Sequence, residues 1–216
     1  MTLNKQRFLV GVDEVGRGPL AGPVAVGVAM VPVEFDWTLL PGVRDSKALK
    51  PKDREAIFRL ASNLRLDGVI DWKVSMTGET IIDKIGIVPS IDTALRRSLT
   101  VLERRYHTVN RMITAPLSDL AMVKLDGGLK APAEYAQETI IKGDATERVI
   151  GLASILAKVT RDRYMTRMST QYPAYGFEIH KGYGTKKHCD LIREHGLSEI
   201  HRVTFCRNLQ KLKLVL

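Results

Sequence analysis

Residues 8–33 of the chain read FLVGVDEVGRGPLAGPVAVGVAMVPV. This stretch contains two mostly apolar runs, Phe8–Val12 and Val24–Val33, whose length and valine content are typical of β-strands. The glycine and proline residues from Gly16 to Pro23 force the chain to turn between them. The stretch therefore predicts a β-hairpin at the start of the fold.

Helices and strands alternate after this hairpin. Apolar residues that recur every three or four positions predict three helices, and short apolar runs predict two further strands. The helices begin at Pro51, at Ser90 as a capping residue, and at Ile150, from which the last runs to about Tyr172, and the strands are Asp71–Met76 and Leu120–Leu125. This order predicts an α/β fold in which helices flank a mixed sheet.

The composition changes near the carboxyl terminus, where residues after Pro173 are richer in Gly, His, Lys and Tyr. We expect residues 1–172 to form the main body and residues 173–216 to form a small helical lobe that packs on it as one domain. A chain of 216 residues is long enough to bury such a core without disulfide staples.

The chain is basic. Its 33 Lys and Arg residues exceed its 24 Asp and Glu residues and give a net charge of +9. A positive excess favours a polyanionic partner, because phosphate contacts release condensed counterions. Many basic proteins bind no nucleic acid, so charge alone leaves the partner open.

Cysteine content and apolar runs bear on the cellular compartment. Cys189 and Cys206 follow no pattern, which suits a reducing compartment better than a disulfide scaffold or a zinc site. The apolar run Val24–Val33 is too short to cross a membrane, and Asp13 interrupts the amino terminus before a signal-peptide core could form. We expect a cytoplasmic protein without membrane contact.

Two adjacent acids, Asp13 and Glu14, follow the first apolar run. An uncompensated carboxylate is costly to bury there, and hard oxygen ligands of this kind suit Mg²⁺ or Mn²⁺. Adjacent strand residues point to opposite faces, so both acids serve one site only if the strand ends or bulges. Gly16 and Gly18 favour such an ending.

Two further acids, Asp126 and Asp144, also close apolar runs and have glycine neighbours. An Asp-Gly pair is most simply an ordinary turn, and that interpretation suffices for either acid alone. Together with Asp13 and Glu14, however, they predict carboxylates that converge on one edge of the sheet. A two-metal site for phosphodiester chemistry requires that arrangement.

Five short motifs resemble, in order, those of the type 2 ribonucleases H, the ribonuclease HII family. They are DEVGRG at 13–18, DSK at 45–47, KGD at 142–144, ASILAKVTRD at 153–162 and HKGYGT at 180–185. The resemblance extends from Val10 to Phe205, and the combination is far more specific than any one motif. It implies a ribonuclease H-like fold, with 1–172 as the catalytic core and 173–216 as a substrate-binding segment.

The resemblance also implies an activity. Asp13, Glu14, Asp126 and Asp144 would be the ligands of two Mg²⁺ or Mn²⁺ ions, which help to generate the nucleophile and stabilise the leaving 3′-oxygen. The enzyme would hydrolyse the RNA strand of RNA/DNA hybrids and cut 5′ of ribonucleotides embedded in duplex DNA, leaving 5′-phosphate and 3′-hydroxyl ends. Ribonucleotide removal and replication primer removal are the implied roles.

Substrate recognition is implied for two motifs. Gly16, Arg17 and Gly18 would recognise the ribose 2′-hydroxyl, since glycine permits close backbone approach and arginine offers a rigid set of donors. Tyr183 would pack at the junction between the ribonucleotide and the next deoxynucleotide. A turn with a solvated arginine and a tyrosine that covers a loop are the simpler alternatives.

Several basic residues are candidates for phosphate contacts: Lys47, Lys181, Lys158 and Arg161. A solvated helix face explains Lys158 and Arg161 nearly as well. His180, His188, His195 and His201 have no compact ligand spacing, so we do not expect a zinc site.

The tail Gln210–Leu214 faintly resembles the peptides by which replication proteins dock on a sliding clamp, although a basic terminal strand or a frayed end is simpler. We expect a monomer with at most a weak clamp contact. Two rival functions remain: a related nuclease acting on DNA junctions or ends, and a non-catalytic nucleic-acid-binding module. The second leaves the acids at strand ends unexplained.

Overall fold

The computed structural model describes residues 6–43, 49–109 and 114–210. Lys47 and the tail after residue 210 therefore lie outside the described residues. A single five-stranded sheet has the order β3-β2-β1-β4-β5. Its strands are β1 (Phe8–Val15), β2 (Val24–Pro32), β3 (Asp71–Thr77), β4 (Ala121–Asp126) and β5 (Ala136–Ile140).

The sheet is mixed, as predicted. β1 and β2 form the expected antiparallel hairpin, and β3 pairs with β2 in the same sense. β4 runs parallel to β1, and β5 runs parallel to β4. The parallel pairs place the carboxyl ends of β1, β4 and β5 at one edge of the sheet.

The helices agree with the predictions in two cases and differ in a third. α1 starts at Pro51, and α6 begins two residues before Ile150. Ser90 does not cap its helix: α3 starts at Ile87, and the Ser90 hydroxyl donates to the Gly86 carbonyl. The helices are α1 (Pro51–Leu66), α2 (Glu79–Ile85), α3 (Ile87–Val109), α4 (Leu117–Leu120), α5 (Gly143–Thr146), α6 (Arg148–Gln171), α7 (Phe177–His180), α8 (Lys186–His195) and α9 (Arg207–Gln210).

Pro89 and the predicted capping residue Ser90 both lie in the first turn of α3. Proline is tolerated in a first helical turn, where its missing N–H would have no intrahelical partner. Ser90 is therefore a buried residue within the helix, and its hydroxyl finds a carbonyl one turn earlier.

Apolar layers cover both faces of the sheet. α3 packs on the face that carries Val10 and Val12, whereas α1 and α6 pack on the other. α6 lies directly on β1 and β2, since a Cβ atom at Gly11 or Gly27 would come within 2.2 Å of a backbone oxygen of α6. Close packing of this kind fixes the position of α6 against the two strands that begin the fold.

A third apolar cluster joins the helices after residue 172, called here the carboxyl-terminal lobe, to the rest of the fold. Phe177, Ile192 and Cys206 of this lobe pack with Met165 of α6 and Ala21 of the β1–β2 connection. The carboxyl-terminal lobe is thus fastened to the connection that carries the glycine-rich motif. Among the described residues, no helix is long and apolar enough to cross a membrane.

Candidate active site

One cavity of about 460 Å³ collects the four predicted acids. Asp13 and Glu14 come from β1, Asp126 is the last residue of β4, and Asp144 lies in the first turn of α5. Asp13 and Asp144 are buried. Carboxylates from three separate parts of the sequence therefore line one cavity.

As Gly16 and Gly18 suggested, β1 ends close to the two acids, at Val15, one residue after Glu14. Both acids pair regularly with β2, where Asp13 lies opposite Gly27. Pairing of β1 with β4 stops at Val12, however, and β1 extends beyond it to Val15. Side chains from both faces of β1 reach the cavity because the edge toward β4 is open there.

Asp144 reaches the site in a different way from that predicted. β5 ends at Ile140, Lys142 adopts a left-handed conformation with φ of 57°, and a short helical turn follows. The Asp144 backbone N–H lies 3.4 Å from the Asp126 carboxylate, to which it donates. A turn rather than a strand end thus places Asp144 beside Asp126.

The acids repel one another in a poorly solvated place. Burial raises the pKa of Asp13 to about 7, and the negative charges of Asp126 and Glu14 add to this effect. A hydrogen bond from Ser154 of α6 works in the opposite direction. Ser154 was not among the predicted site residues, and the signal for it was a polar residue amid the apolar residues of α6.

Glu14 has a local counter-ion. Burial raises its pKa, and Arg17 opposes this through an ion pair of 3.2 Å from Nη1 to Oε1. Arg17 itself is exposed. Arg17, predicted to bind substrate, is therefore paired with Glu14, one of the predicted metal ligands.

The chemistry of this donor set fits a hard divalent cation. All four acids offer carboxylate oxygens. Burial, with the charges of Asp126 and Glu14, raises the pKa of Asp13, and a bound cation would favour the ionised carboxylate. In the side-chain conformations of the described residues, no three Asp, Glu, His or Cys groups are arranged to hold one ion. Binding would therefore require the carboxylates to draw together.

The glycine-rich loop lies at the wall of the cavity, with Gly16, Arg17 and Gly18 lining it. Gly16 has φ of 92°, and a Cβ atom there would lie 2.2 Å from Nε of Arg161. Only glycine fits this backbone position.

Arg161 is fully buried, which makes its predicted phosphate contact wrong. Its guanidinium donates to the carbonyls of Pro23, Ala21 and Lys181 at 2.8, 3.2 and 2.9 Å. All three bonds point to the connection after β1 or to the lobe. Arg161 therefore fastens these two segments together instead of facing the substrate.

Arg202 is a second fully buried arginine, and no pattern in the sequence indicated it. It donates to the carbonyls of Gly22, Arg17 and Gly16 at 2.9, 3.0 and 2.7 Å. Burial lowers its pKa to about 10. Among the described residues, no carboxylate forms an ion pair with Arg161 or Arg202, and the hydrogen bonds of both guanidinium groups go to backbone carbonyls.

The remaining predicted contacts divide into two groups. Tyr183 lines the cavity and is 40% exposed as a residue. Lys158 also lines it and pairs with Asp162 at 2.9 Å. Lys181 does not line the cavity, and its ammonium group donates to Thr166 and to the Glu178 carbonyl.

Arg54 of α1, which was not predicted, is another lining residue. It donates to the Leu49 carbonyl at 2.6 Å. It adds a third basic side chain to the cavity wall beside Arg17 and Lys158.

Comparison with known proteins decides among the functions that such a site could serve. The family model described as Ribonuclease HII matches residues 10–208. The chain belongs to the ribonuclease HII family. It is 41% identical over 198 residues to ribonuclease HII of Endomicrobium trichonymphae, covering 91% of this chain and 84% of that protein. It is also 41% identical over 203 residues to ribonuclease HII of Caldicellulosiruptor saccharolyticus, covering 94% and 89%.

Solved structures agree on the fold. Ribonuclease H2 from Pyrococcus horikoshii OT3 superposes with a TM-score of 0.67 at 26% identity and covers 95% of this chain and 98% of that one. RNase HII in the PCNA complex from Archaeoglobus fulgidus gives 0.67 at 19% identity, covering 94% and 96%. Bst-RNase HIII in complex with Mn²⁺ gives 0.62 at 17% identity, covering 99% and 71%.

Membership of the ribonuclease HII family makes the chain a metal-dependent ribonuclease, a hydrolase. A non-catalytic binding module is thereby excluded. The predicted ribonuclease H-like fold is confirmed as well.

Proposed function

We propose that this enzyme hydrolyses the RNA strand of RNA/DNA hybrids and cuts 5′ of a ribonucleotide embedded in duplex DNA, leaving 5′-phosphate and 3′-hydroxyl ends. One observation carries the proposal: the cavity that holds Asp13, Glu14, Asp126 and Asp144 is also lined by the Gly16–Gly18 loop and Tyr183. A cleavage site and two elements suited to sugar recognition therefore adjoin each other.

Asp13, Glu14, Asp126 and Asp144 would hold the divalent ions, Mg²⁺ or Mn²⁺. Such ions supply Lewis-acid stabilisation of the charge that develops on the attacking and leaving oxygens. Ser154 orients the Asp13 carboxylate through its hydrogen bond. Arg17 neutralises part of the Glu14 charge before substrate arrives. The Mn²⁺ complex of the similar Bst-RNase HIII supports this choice of metal.

The Gly16–Gly18 loop would read the ribose 2′-hydroxyl. Arg202 holds two of its carbonyls, so the loop presents a fixed backbone to the cavity. A Cβ atom at Gly18 would meet no atom of the protein within 4 Å, so its absence leaves open space in which a sugar can approach closely. Tyr183, with its ring partly exposed at the same cavity, would pack on the sugar of the following deoxynucleotide.

Phosphate contacts would come from basic residues near the cavity. Arg17, Arg54 and Lys158 line it, and we add Lys47 and Lys181 from the sequence motifs. The net charge of +9 supports binding to a polyanion through counterion release.

Wider roles follow from the same activity. We propose that the enzyme acts in the cytoplasm as a monomer, removing ribonucleotides and replication primers, with 1–172 as the catalytic core and 173–216 as the substrate-binding segment. A weak sliding-clamp contact through the tail after residue 209 is part of the proposal. The complex of PCNA with RNase HII from Archaeoglobus fulgidus supports it.

The deciding experiment compares three duplexes of one sequence: all DNA, DNA with a single ribonucleotide, and an RNA/DNA hybrid. With Mg²⁺ or Mn²⁺, we expect a cut 5′ of the lone ribonucleotide, cuts throughout the RNA strand, and intact DNA. End-labelling identifies the termini. Cleavage of the all-DNA duplex, or cleavage in excess EDTA, would overturn the proposal.

A further inference from the structure

Three of the five histidines, His180, His188 and His201, gather beside Tyr183 in the carboxyl-terminal lobe. All three are buried, and the rings of His180 and His188 stack with centroids 4.1 Å apart. Phe177 packs against each of them. A histidine in such a place costs free energy unless its ring nitrogens are hydrogen-bonded.

The hydrogen bonds determine the tautomer of His188. Its Nδ1 lies 2.9 Å from the Tyr183 carbonyl oxygen, which can only accept, so Nδ1 carries the proton. In the neutral ring, Nε2 is then an acceptor. Its neighbour at 3.1 Å is Nε2 of His201, which must therefore be the donor.

The same reasoning continues to Ser198. With its proton on Nε2, His201 presents Nδ1 as an acceptor, and the Ser198 backbone N–H donates to it at 2.9 Å. The Ser198 hydroxyl lies 2.8 Å from the same nitrogen and can donate as well. A one-way chain of donors thus runs from Ser198 through His201 and His188 to the Tyr183 carbonyl.

His180 holds the residue before Tyr183. Its Nε2 donates to the Tyr175 carbonyl at 2.7 Å, and its Nδ1 accepts from the Gly182 N–H at 3.2 Å. All six ring nitrogens are then satisfied with every ring neutral. Protonation of any one ring would turn its acceptor nitrogen into a donor, which would then face another N–H or O–H donor.

The charges around the cluster also favour neutral rings. Burial is the main cause that lowers the pKa of His188 and His201 to about 4, and neighbouring histidines contribute to both shifts. For His180, burial lowers the pKa, Lys187 and Lys181 add to this, and Glu178 opposes it. Tyr175 faces His201 with ring centroids 4.9 Å apart.

We infer that Ser198, His201 and His188 form a hydrogen-bond relay that fixes the backbone of Tyr183, which makes the two histidines positioning residues for junction recognition. The inference rests on the proposed role of Tyr183. Arg202, next in sequence to His201, holds the Gly16 and Arg17 carbonyls. The segment from Ser198 to Arg202 thereby sets the distance between the two elements that read the sugars.

A matched pair of substitutions at His188 separates the relay from simple packing. In His188→Asn the amide nitrogen can occupy the place of Nδ1 and keep the bond to Tyr183. In His188→Gln the amide occupies the place of Nε2 and loses it. Both variants replace the ring by an amide, and exposed His195 on the same helix provides the control His195→Gln.

The measurement is kcat/KM on a duplex with one ribonucleotide, divided by kcat/KM on a continuous hybrid. We expect His188→Gln to lower this ratio about three- to tenfold, the usual effect of one lost hydrogen bond. His188→Asn and His195→Gln should keep it within about twofold. Equal losses in the two His188 variants would overturn the relay and leave the cluster as packing.

Nitrogen-15 NMR of the wild-type rings tests the relay even if a variant fails to fold. We expect His188 as the Nδ1–H tautomer and His201 as the Nε2–H tautomer at pH 7. The opposite tautomers, or charged rings, would refute the relay. The proposed function fails in a different way: the wild-type enzyme would not cut at a lone ribonucleotide, or Tyr183→Ala would leave the ratio of the two activities unchanged.

Discussion

The acid cavity and the carboxyl-terminal lobe differ in how their buried charges are compensated. At the cavity, carboxylates from three segments of the chain crowd together, and Arg17 pairs with Glu14. Where the lobe meets the rest of the fold, the cations Arg161 of α6 and Arg202 are fully buried and donate to backbone carbonyls. The carboxylates of the first region repel one another unless a cation binds, whereas the arginines of the second region have all their hydrogen-bond partners within the protein.

Because of this difference, substitutions in the cavity should mainly affect catalysis, and substitutions of the buried arginines should mainly affect stability. Neutralising an acid removes repulsion, so it should harm catalysis while sparing the fold. Truncating a buried cation leaves several carbonyls without donors, so it should harm the fold first. The following changes test that division, from the largest expected effect to the smallest.

Asp13→Asn or Asp126→Asn should reduce cleavage by a factor of about 10³ or more, because a neutral amide binds a hard cation poorly and metal-ion stabilisation supplies several kcal/mol. The measurement is kcat on the single-ribonucleotide duplex, with circular dichroism to check the fold. Exposed Asp119, in the turn before β4, provides the control Asp119→Asn, which should be fully active. Wild-type turnover by the Asp13/Asp126 double variant would refute the metal assignment.

Arg202→Ala should destabilise the protein by about 3 to 5 kcal/mol, since three buried carbonyls lose their donor and a cavity opens. Urea unfolding measures the free energy. Arg193→Ala is the control: its exposed ion pair with Asp190 should contribute less than about 1 kcal/mol. A similar small loss in both variants would mean that Arg202 does not brace the glycine loop.

The two regions should also respond oppositely to pH in metal-free protein. The pKa of Asp13 is raised from 3.8 to about 7, so the native state holds this proton longer than the unfolded state. Its contribution to stability is present below pH 3.8 and is lost as pH rises through 7. The pKa of His188 and His201 is lowered from 6.5 to about 4, so their contribution is lost as pH falls through that window.

Asp13→Asn isolates the acidic part of this response. In EDTA, the variant should match the wild type near pH 4 and exceed it above pH 7, by at most about 4 kcal/mol. Unfolding free energies measured at intervals from pH 4 to 8 show the trend. A difference independent of pH would mean that Asp13 titrates normally in the folded protein.

Much of the fold and the acid site could be predicted because both depend on local patterns. The runs at Phe8–Val12 and Val24–Val33 predicted the hairpin, and Pro51 marked the start of α1. Asp126 ends a strand as expected. Strand order then brings these acids together, because parallel strands end at the same edge.

The errors concern partners that are distant in the sequence. Arg161 was interpreted as a surface residue, but it bonds to Ala21 and Pro23, about 140 positions away. Arg202 and the histidine relay gave no local signal, since their partners become neighbours only when the lobe packs on the β1–β2 connection. Periodicity shows which face of a helix is apolar, but it does not show which carbonyls a buried guanidinium will meet.

Tyr183→Ala gives the smallest of these effects and tests whether the lobe contributes to substrate choice. An aromatic surface is typically worth about 1 to 3 kcal/mol, so kcat/KM on the single-ribonucleotide duplex should fall roughly tenfold or more. Activity on a continuous hybrid should fall less, because the acids and the phosphate contacts remain. Tyr183→Phe is the matched control and should keep the ratio of the two activities, since it retains the ring. Equal loss on both substrates in Tyr183→Ala would assign the tyrosine to general positioning or folding, and full retention on both would exclude it from junction reading. Either result would assign junction recognition to the glycine loop and not to the lobe.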